Sequence, residues 1–191
     1  VVGIDIGTSS IKAVELHRKG GRAVLETYGE LSLAPYGDMP VGSMTNLSTD
    51  VLAQALKDTI RESKISTTNA AISLPASSSM IFILELPSSI KEDKLKEVVP
   101  IEARRYIPVP ISEVTLDWWM IPQNDIPTEY TEGVTKEDKT EVLVVAIHND
   151  TMNKYREIFD KAGLTNGLFE IEIFTSMRSS IGHDLYTVLL A

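Results

Sequence analysis

Apolar positions at the start of the chain recur at the spacing of strands. Val1–Ile6, Ile11–His17 and Arg22–Tyr28 are apolar or alternating runs, divided by Gly7 to Ser10 and then by Lys19-Gly20-Gly21, whose paired glycines suit a tight hairpin turn. They predict three consecutive strands in a meander. The period then changes. After a loop with Pro35, Gly37, Pro40 and Gly42, the residues Val51, Leu52, Ala55, Leu56 and Ile60 fall at helical spacing behind Ser48 or Thr49 as N-cap. Asn69–Leu74 returns to a short strand, and Pro75 with the serines 77–79 marks a crossing point out of this unit.

A second pattern starts at Met80. The strand Met80–Pro87 leads into a helix with Ser88 or Ser89 near its start and Leu95, Val98, Val99 and Ala103 inside. Pro100 cannot donate its hydrogen bond, so a kink or a restart is expected there. Next comes a strand, Val114–Ile121, carrying Trp118 and Trp119 on opposite faces, one for a core and one for a surface or interface. A polar loop follows from Pro122 to Thr140; between Pro122 and Glu141 six acids face two lysines. The strand Glu141–His148 resumes, and a helix capped by Asn149 or Asp150 ends at Gly163. This strand, helix, strand, strand, helix order differs from the opening meander. It predicts an inserted α+β unit over residues 80–163 within a discontinuous first unit, residues 1–79 and 164–191. A strand Leu168–Ile173 and a helix from about Thr175 to Asp184 return the chain to that first unit.

Composition removes several function classes. The 191 residues contain no cysteine, which excludes disulfides, thiolate metal sites and cysteine nucleophiles. With 18 basic and 27 acidic side chains the net charge is −9, which argues against general affinity for nucleic acid or an anionic membrane. No run approaches the roughly 18–20 apolar residues of a membrane helix, so no direct membrane insertion is expected. The chain opens without an initiator Met or basic lead-in and closes on the apolar, strand-like run Tyr186–Ala191, so we expect a fragment of a longer protein. His17, His148 and His183 lack metal-site spacing, and the serines at 77–79 and 179–180 lack a base partner. No catalytic residue is assigned.

Candidate chemistry concentrates between Ile4 and Lys12. A buried strand delivers Asp5 to its end, and Gly7 removes the side chain where the backbone must turn closely. The amides and hydroxyls of Thr8, Ser9 and Ser10 then line a short turn, a natural nest for phosphate oxygens. Lys12 on the next strand can reach the same anion, and Asp5 can hold a water of hydrated Mg²⁺. The same residues also serve as plain hairpin turn chemistry, so both readings stand at this point. There is neither a Walker A loop nor a dinucleotide fingerprint.

A first strand ending D-x-G-T/S-x-x-x-K, followed by two further strands and a helix, resembles the first phosphate loop of the actin, Hsp70 and sugar-kinase superfamily. More narrowly, VVGIDIGTSSIKAVEL and LPSSIKEDKLKEVVPIEARRYIPVPISEVTLDWWMI, with E-A-x-x-Y-I-P-x-P-I-x-E-V over Glu102–Val114, are similar to the PilM family of type IV pilus assembly and more distantly to the FtsA division proteins. The resemblance implies an α/β, actin-like (ribonuclease H-like) subdomain 1A with an inserted α+β subdomain 1C. It implies Asp5, Gly7, Thr8, Ser9, Ser10 and Lys12 as an ATP phosphate and Mg²⁺ site, with Asp5 facing the metal. Within Phe169 to Ser176 it implies Glu172, with Glu170 second, as the polar residue facing the nucleotide; as plain pattern both are solvent-facing positions of an edge strand. The second phosphate loop would follow Tyr186–Ala191. We therefore expect no ATPase activity and weak or no ATP binding from this segment alone, with ATP bound by the two-half protein, at most a weak ATPase. The resemblance further implies a cytoplasmic scaffold, peripheral to the inner membrane through the N-terminal tail of a PilN-type membrane protein, with other pilus assembly proteins as partners and self-contacts through 1C. An FtsA-like division protein and a small-molecule kinase are the alternatives.

Overall fold

The computed structural model describes residues 1–121 and 139–180. Its elements run β1 (Val2–Ile6), β2 (Ser10–Lys19), β3 (Arg22–Ser32), α1 (Thr49–Glu62), β4 (Asn69–Leu74), β5 (Ser79–Pro87), α2 (Glu92–Ala103), β6 (Val114–Met120), β7 (Lys139–His148), α3 (Asn149–Ala162), β8 (Thr165–Ile171) and α4 (Glu172–Ser180). The expected meander forms as β1–β3. Gly20 and Gly21, at φ 57° and 80°, take the two left-handed positions of a two-residue hairpin that pairs Lys19 with Arg22.

Contacts divide the chain into two compact units. The first comprises Val1–Ala76 and Asp150–Met177; the second is built on Ser77–Asn149. This departs from the expected insertion over residues 80–163, because α3 belongs to the first unit. Its helical stripe Met152, Tyr155, Ile158 and Phe159 is buried, with the Phe159 ring 5.9 Å from Phe169 of β8, and Lys161 bridges to Asp50 of α1 at 2.5 Å.

The first unit holds a five-stranded sheet in the order β3-β2-β1-β4-β8, antiparallel among β1–β3 and parallel from β1 through β4 to β8. α1 starts where Ser48 accepts the Val51 N–H at 3.4 Å, and it buries Leu52, Ala53, Ala55, Leu56 and Thr59. The end of this helix meets β3 closely. Thr27 Oγ1 donates to the Ser63 carbonyl at 2.6 Å, and a Cβ added at Gly29 would lie 2.9 Å from Ser63 Cβ and collide with its Oγ. Gly29→Ala should therefore cost about 1–3 kcal/mol by overpacking, read as a lower urea midpoint with unchanged slope. A midpoint equal to wild type would show that the helix end yields freely.

The second unit is an antiparallel sheet in the order β5-β7-β6, with a core of Leu84, Leu86, Leu95, Val99, Val142 and Val144. Trp118 packs on that core, and its neighbour Trp119 is also half-buried. α2 begins at Glu92 with Lys91 as N-cap, later than the expected start near Ser88, and runs across Pro100 to Ala103 with no restart. β7 begins at Lys139, two residues before the expected strand. The acidic stretch 122–138, His183 and the run Tyr186–Ala191, expected as a strand, lie outside the described residues.

Candidate functional site

Three parallel strands of the first unit, β1, β4 and β8, end at one edge of the sheet. In such sheets ligands bind beyond the carboxyl ends of the strands. Register decides which side chains gather there. Asp5 pairs with Lys12 on one side and with Ser73 on the other, and Ser73 pairs in turn with Glu170. Lys12, Asp5, Ser73 and Glu170 thus form one row across four strands, on the face opposite buried Ile4, Ile72 and Leu74. Lys12 Nζ stands 3.9 Å from Asp5 Oδ2.

β1 and β2 are joined at this edge by the turn Gly7 to Ser10. The Gly7 N–H donates to the Ser10 carbonyl at 3.0 Å, and a Cβ on Gly7 would sit 3.2 Å from that oxygen, so glycine is favoured here by close approach rather than by φ. Gly7 and Thr8 are exposed, Ser9 and Ser10 half-buried. The expected turn residues are therefore gathered at the surface beside Asp5 and Lys12.

Glu172 reaches the same edge by another route. The sequence placed it in a strand ending at Ile173; in the structure β8 ends where its pairing with β4 ends, Leu74 against Ile171, and Glu172 opens α4. There its carboxylate accepts the Ala76 N–H at 2.8 Å, tying the start of α4 to the segment after β4. A carboxylate in the first turn is also favoured by the helix dipole. Glu170 stays on the strand, in the row with Asp5.

The site is electronegative. Burial pushes the Asp5 carboxyl up from its ordinary value, Lys12 draws it back down, and the charge of Glu172 pushes it up again. Two residues here escaped the sequence reading. Ser73 sits between Asp5 and Glu170 by long-range register alone. Tyr155 is 8 % exposed on α3, and burial, then the charges of Asp5 and Glu172, push its hydroxyl up to about 12. A neutral phenol on a buried helical stripe, with its polar end in the field of two carboxylates, remains a hydrogen-bond donor at physiological pH. The only local signal for it was a tyrosine among apolar residues at helical spacing.

Asp5 and Glu172 act on each other against the pull of Lys12, so a polyphosphate approaching these two carboxylates without a cation would be repelled. A hydrated divalent cation fits this donor set, since it would relieve the Asp5 carboxylate from both burial and Glu172. Among the described residues no three His, Cys, Asp or Glu side chains converge as a protein cage, so such an ion would be held largely through water and substrate oxygens.

Comparison with known families decides what this architecture is. A family model described as "Type IV pilus assembly protein PilM" matches residues 3–187. The chain belongs to the PilM family. Among solved structures, a "PilM-PilN type IV pilus biogenesis complex" aligns at TM-score 0.71 and 23 % identity, over 93 % of this chain and 48 % of that one. The cytoplasmic domain of EpsL, an inner membrane component of the type II secretion system of Vibrio cholerae, aligns at TM-score 0.52 and 10 % identity, over 88 % of this chain and 56 % of that one. The chain thus spans about half the length of these neighbours. The PilM family match and both structural likenesses agree with the α/β, actin-like fold expected from the sequence. Among the described residues of this PilM-family chain, no helix is long and apolar enough to cross a membrane.

Proposed function

We propose that this chain forms the phosphate-facing part of a nucleotide-responsive scaffold in type IV pilus assembly. In this reading the Gly7 to Ser10 turn and Lys12 receive the phosphates of ATP, Asp5 holds a water of the accompanying Mg²⁺, and Glu172 faces the nucleotide from the start of α4. The cation supplies charge neutralisation between the phosphates and the carboxylates. The observation that carries this assignment is the convergence of Asp5, Lys12, the turn and Glu172 at one sheet edge. The family's place in pilus assembly supports the scaffold role. The PilM–PilN neighbour supports a second ligand, the N-terminal cytoplasmic tail of a PilN-type membrane protein, which would hold the scaffold beside the inner membrane.

The test is a titration of full-length protein with a synthetic PilN-type tail, with and without Mg-ATP. Saturable peptide binding whose affinity changes when Mg-ATP is added supports a nucleotide-responsive scaffold. Peptide binding indifferent to Mg-ATP would remove the nucleotide response, and absence of peptide binding in both conditions would reject the tail as ligand.

A further inference from the structure

The turn that faces the proposed phosphates is oriented from outside by two residues distant in sequence. The Thr8 carbonyl accepts two hydrogen bonds from Thr45, one from its N–H at 2.8 Å and one from its Oγ1 at 2.9 Å. The Ser9 carbonyl accepts the Leu33 N–H at 2.8 Å. A planar trans peptide points its C=O and the following N–H in opposite directions. Holding the Thr8 carbonyl on Thr45 therefore turns the Ser9 N–H away from Thr45, and holding the Ser9 carbonyl on Leu33 does the same for the Ser10 N–H. The N–H groups of Thr8 and Ser9 donate to no backbone carbonyl among the described residues. The turn is thus held by its carbonyls, which leaves those amide donors for a ligand.

Thr45 and Leu33 anchor the turn differently. Leu33 is fully buried directly after β3, so its bond continues the β2–β3 ladder and comes with folding. Thr45 lies in the connection between β3 and α1, where Met39, Val41 and Met44 are exposed, and its hydroxyl adds a second donor to an acceptor its own N–H already satisfies. We propose that Thr45 is a positioning residue for polyphosphate binding, holding the Thr8–Ser9 peptide so that the Ser9 N–H faces the bound anion. The proposal rests on the phosphate-turn reading above and adds to it a residue that touches no phosphate itself.

The experiment uses full-length protein and measures affinity for inorganic tripolyphosphate with Mg²⁺ by calorimetry, in wild type, Thr45→Val, Thr45→Ser and Asp5→Asn. Thr45→Val keeps the side-chain shape and the backbone bond but loses the hydroxyl; it should bind about threefold to tenfold more weakly, the worth of one hydrogen bond. Thr45→Ser should restore wild-type affinity, and melting temperatures without ligand should agree among wild type and both Thr45 variants. Wild-type affinity in Thr45→Val, or equal weakening in Val and Ser, overturns the positioning role while leaving the turn as a phosphate site, provided Asp5→Asn weakens binding. Failure of wild type to bind, or an Asp5→Asn variant that binds as wild type does, overturns the phosphate-turn reading and the proposal with it.

Discussion

Glu15→Ala is expected to lower the unfolding free energy by about 2–4 kcal/mol at neutral pH, the worth of two charge-assisted hydrogen bonds lost from a buried site. Glu15 is 6 % exposed on the inner face of β2. Its two carboxylate oxygens accept the Ser66 N–H and the Ser66 Oγ, each at 2.8 Å. This tie joins β2 to the connection between α1 and β4, residues 51 apart in sequence. The Ser66 amide bond, against the opposing effect of burial and with help from the Ser66 hydroxyl, holds the Glu15 carboxyl below its ordinary value of 4.5. A depressed carboxyl contributes stability that is present above the unfolded-state value and is lost as pH falls through the folded one. Urea denaturation of wild type and Glu15→Ala across pH 7 to 3 should therefore show a gap that is constant down to about pH 5 and narrows below it. A gap that stays constant to pH 3 would mean that the ionised carboxylate contributes nothing beyond packing.

The sequence pattern disclosed most of what is local and little of what is long-range. The β4 bounds, the hairpin at Gly20-Gly21 and the Ser48 cap are each encoded within a few residues, and each forms where the pattern put it. The turn from Gly7 to Ser10 was legible for the same reason, since a strand, an acid and a glycine in succession leave few conformations. α3 was legible as a helix but not as part of the first unit. An amphipathic stripe declares that it needs a partner without saying which, and ring contact with Phe169 and the bridge to Asp50 decide it.

Glu172 shows the same limit inside the site. Glu170-Ile171-Glu172-Ile173 alternates as a strand would, and pattern alone extends that strand to Ile173. What stops it is the end of pairing with β4 at Leu74, together with the Ala76 N–H that the Glu172 carboxylate accepts. Ser73 and Thr45 were equally invisible, because neither has a local signature. One enters through parallel strand register and the other through two hydrogen bonds spanning 37 residues. A turn can be read from a sequence; the residues that hydrogen-bond or pair with it from a distance cannot.

Asp5→Asn should weaken Mg-ATP binding by the full-length protein by about tenfold to a hundredfold, the range of a hydrogen bond to a charged group. The substitution preserves size and removes the charge that would hold the hydrated cation. Its effect on folding should run the other way. Burial raises the Asp5 carboxyl above 3.8, and the charge of Glu172 adds to that rise against the pull of Lys12. A carboxyl raised in the folded state binds its proton more tightly there than in the unfolded chain, so its contribution to stability is fully present below 3.8 and is lost as pH climbs through the folded value. At pH 7 the ionised Asp5 therefore opposes folding, and Asp5→Asn should unfold at an equal or higher temperature than wild type without ligand. Any gain should vanish near pH 3, where Asp5 is protonated in both states. Opposite signs on binding and stability mark a side chain kept for its ligand, because a residue serving only the hairpin would lose stability when altered. Calorimetric titration with Mg-ATP and ligand-free melting of the same two proteins decide the matter. Reduced stability with unchanged affinity in Asp5→Asn would return the turn to plain hairpin chemistry.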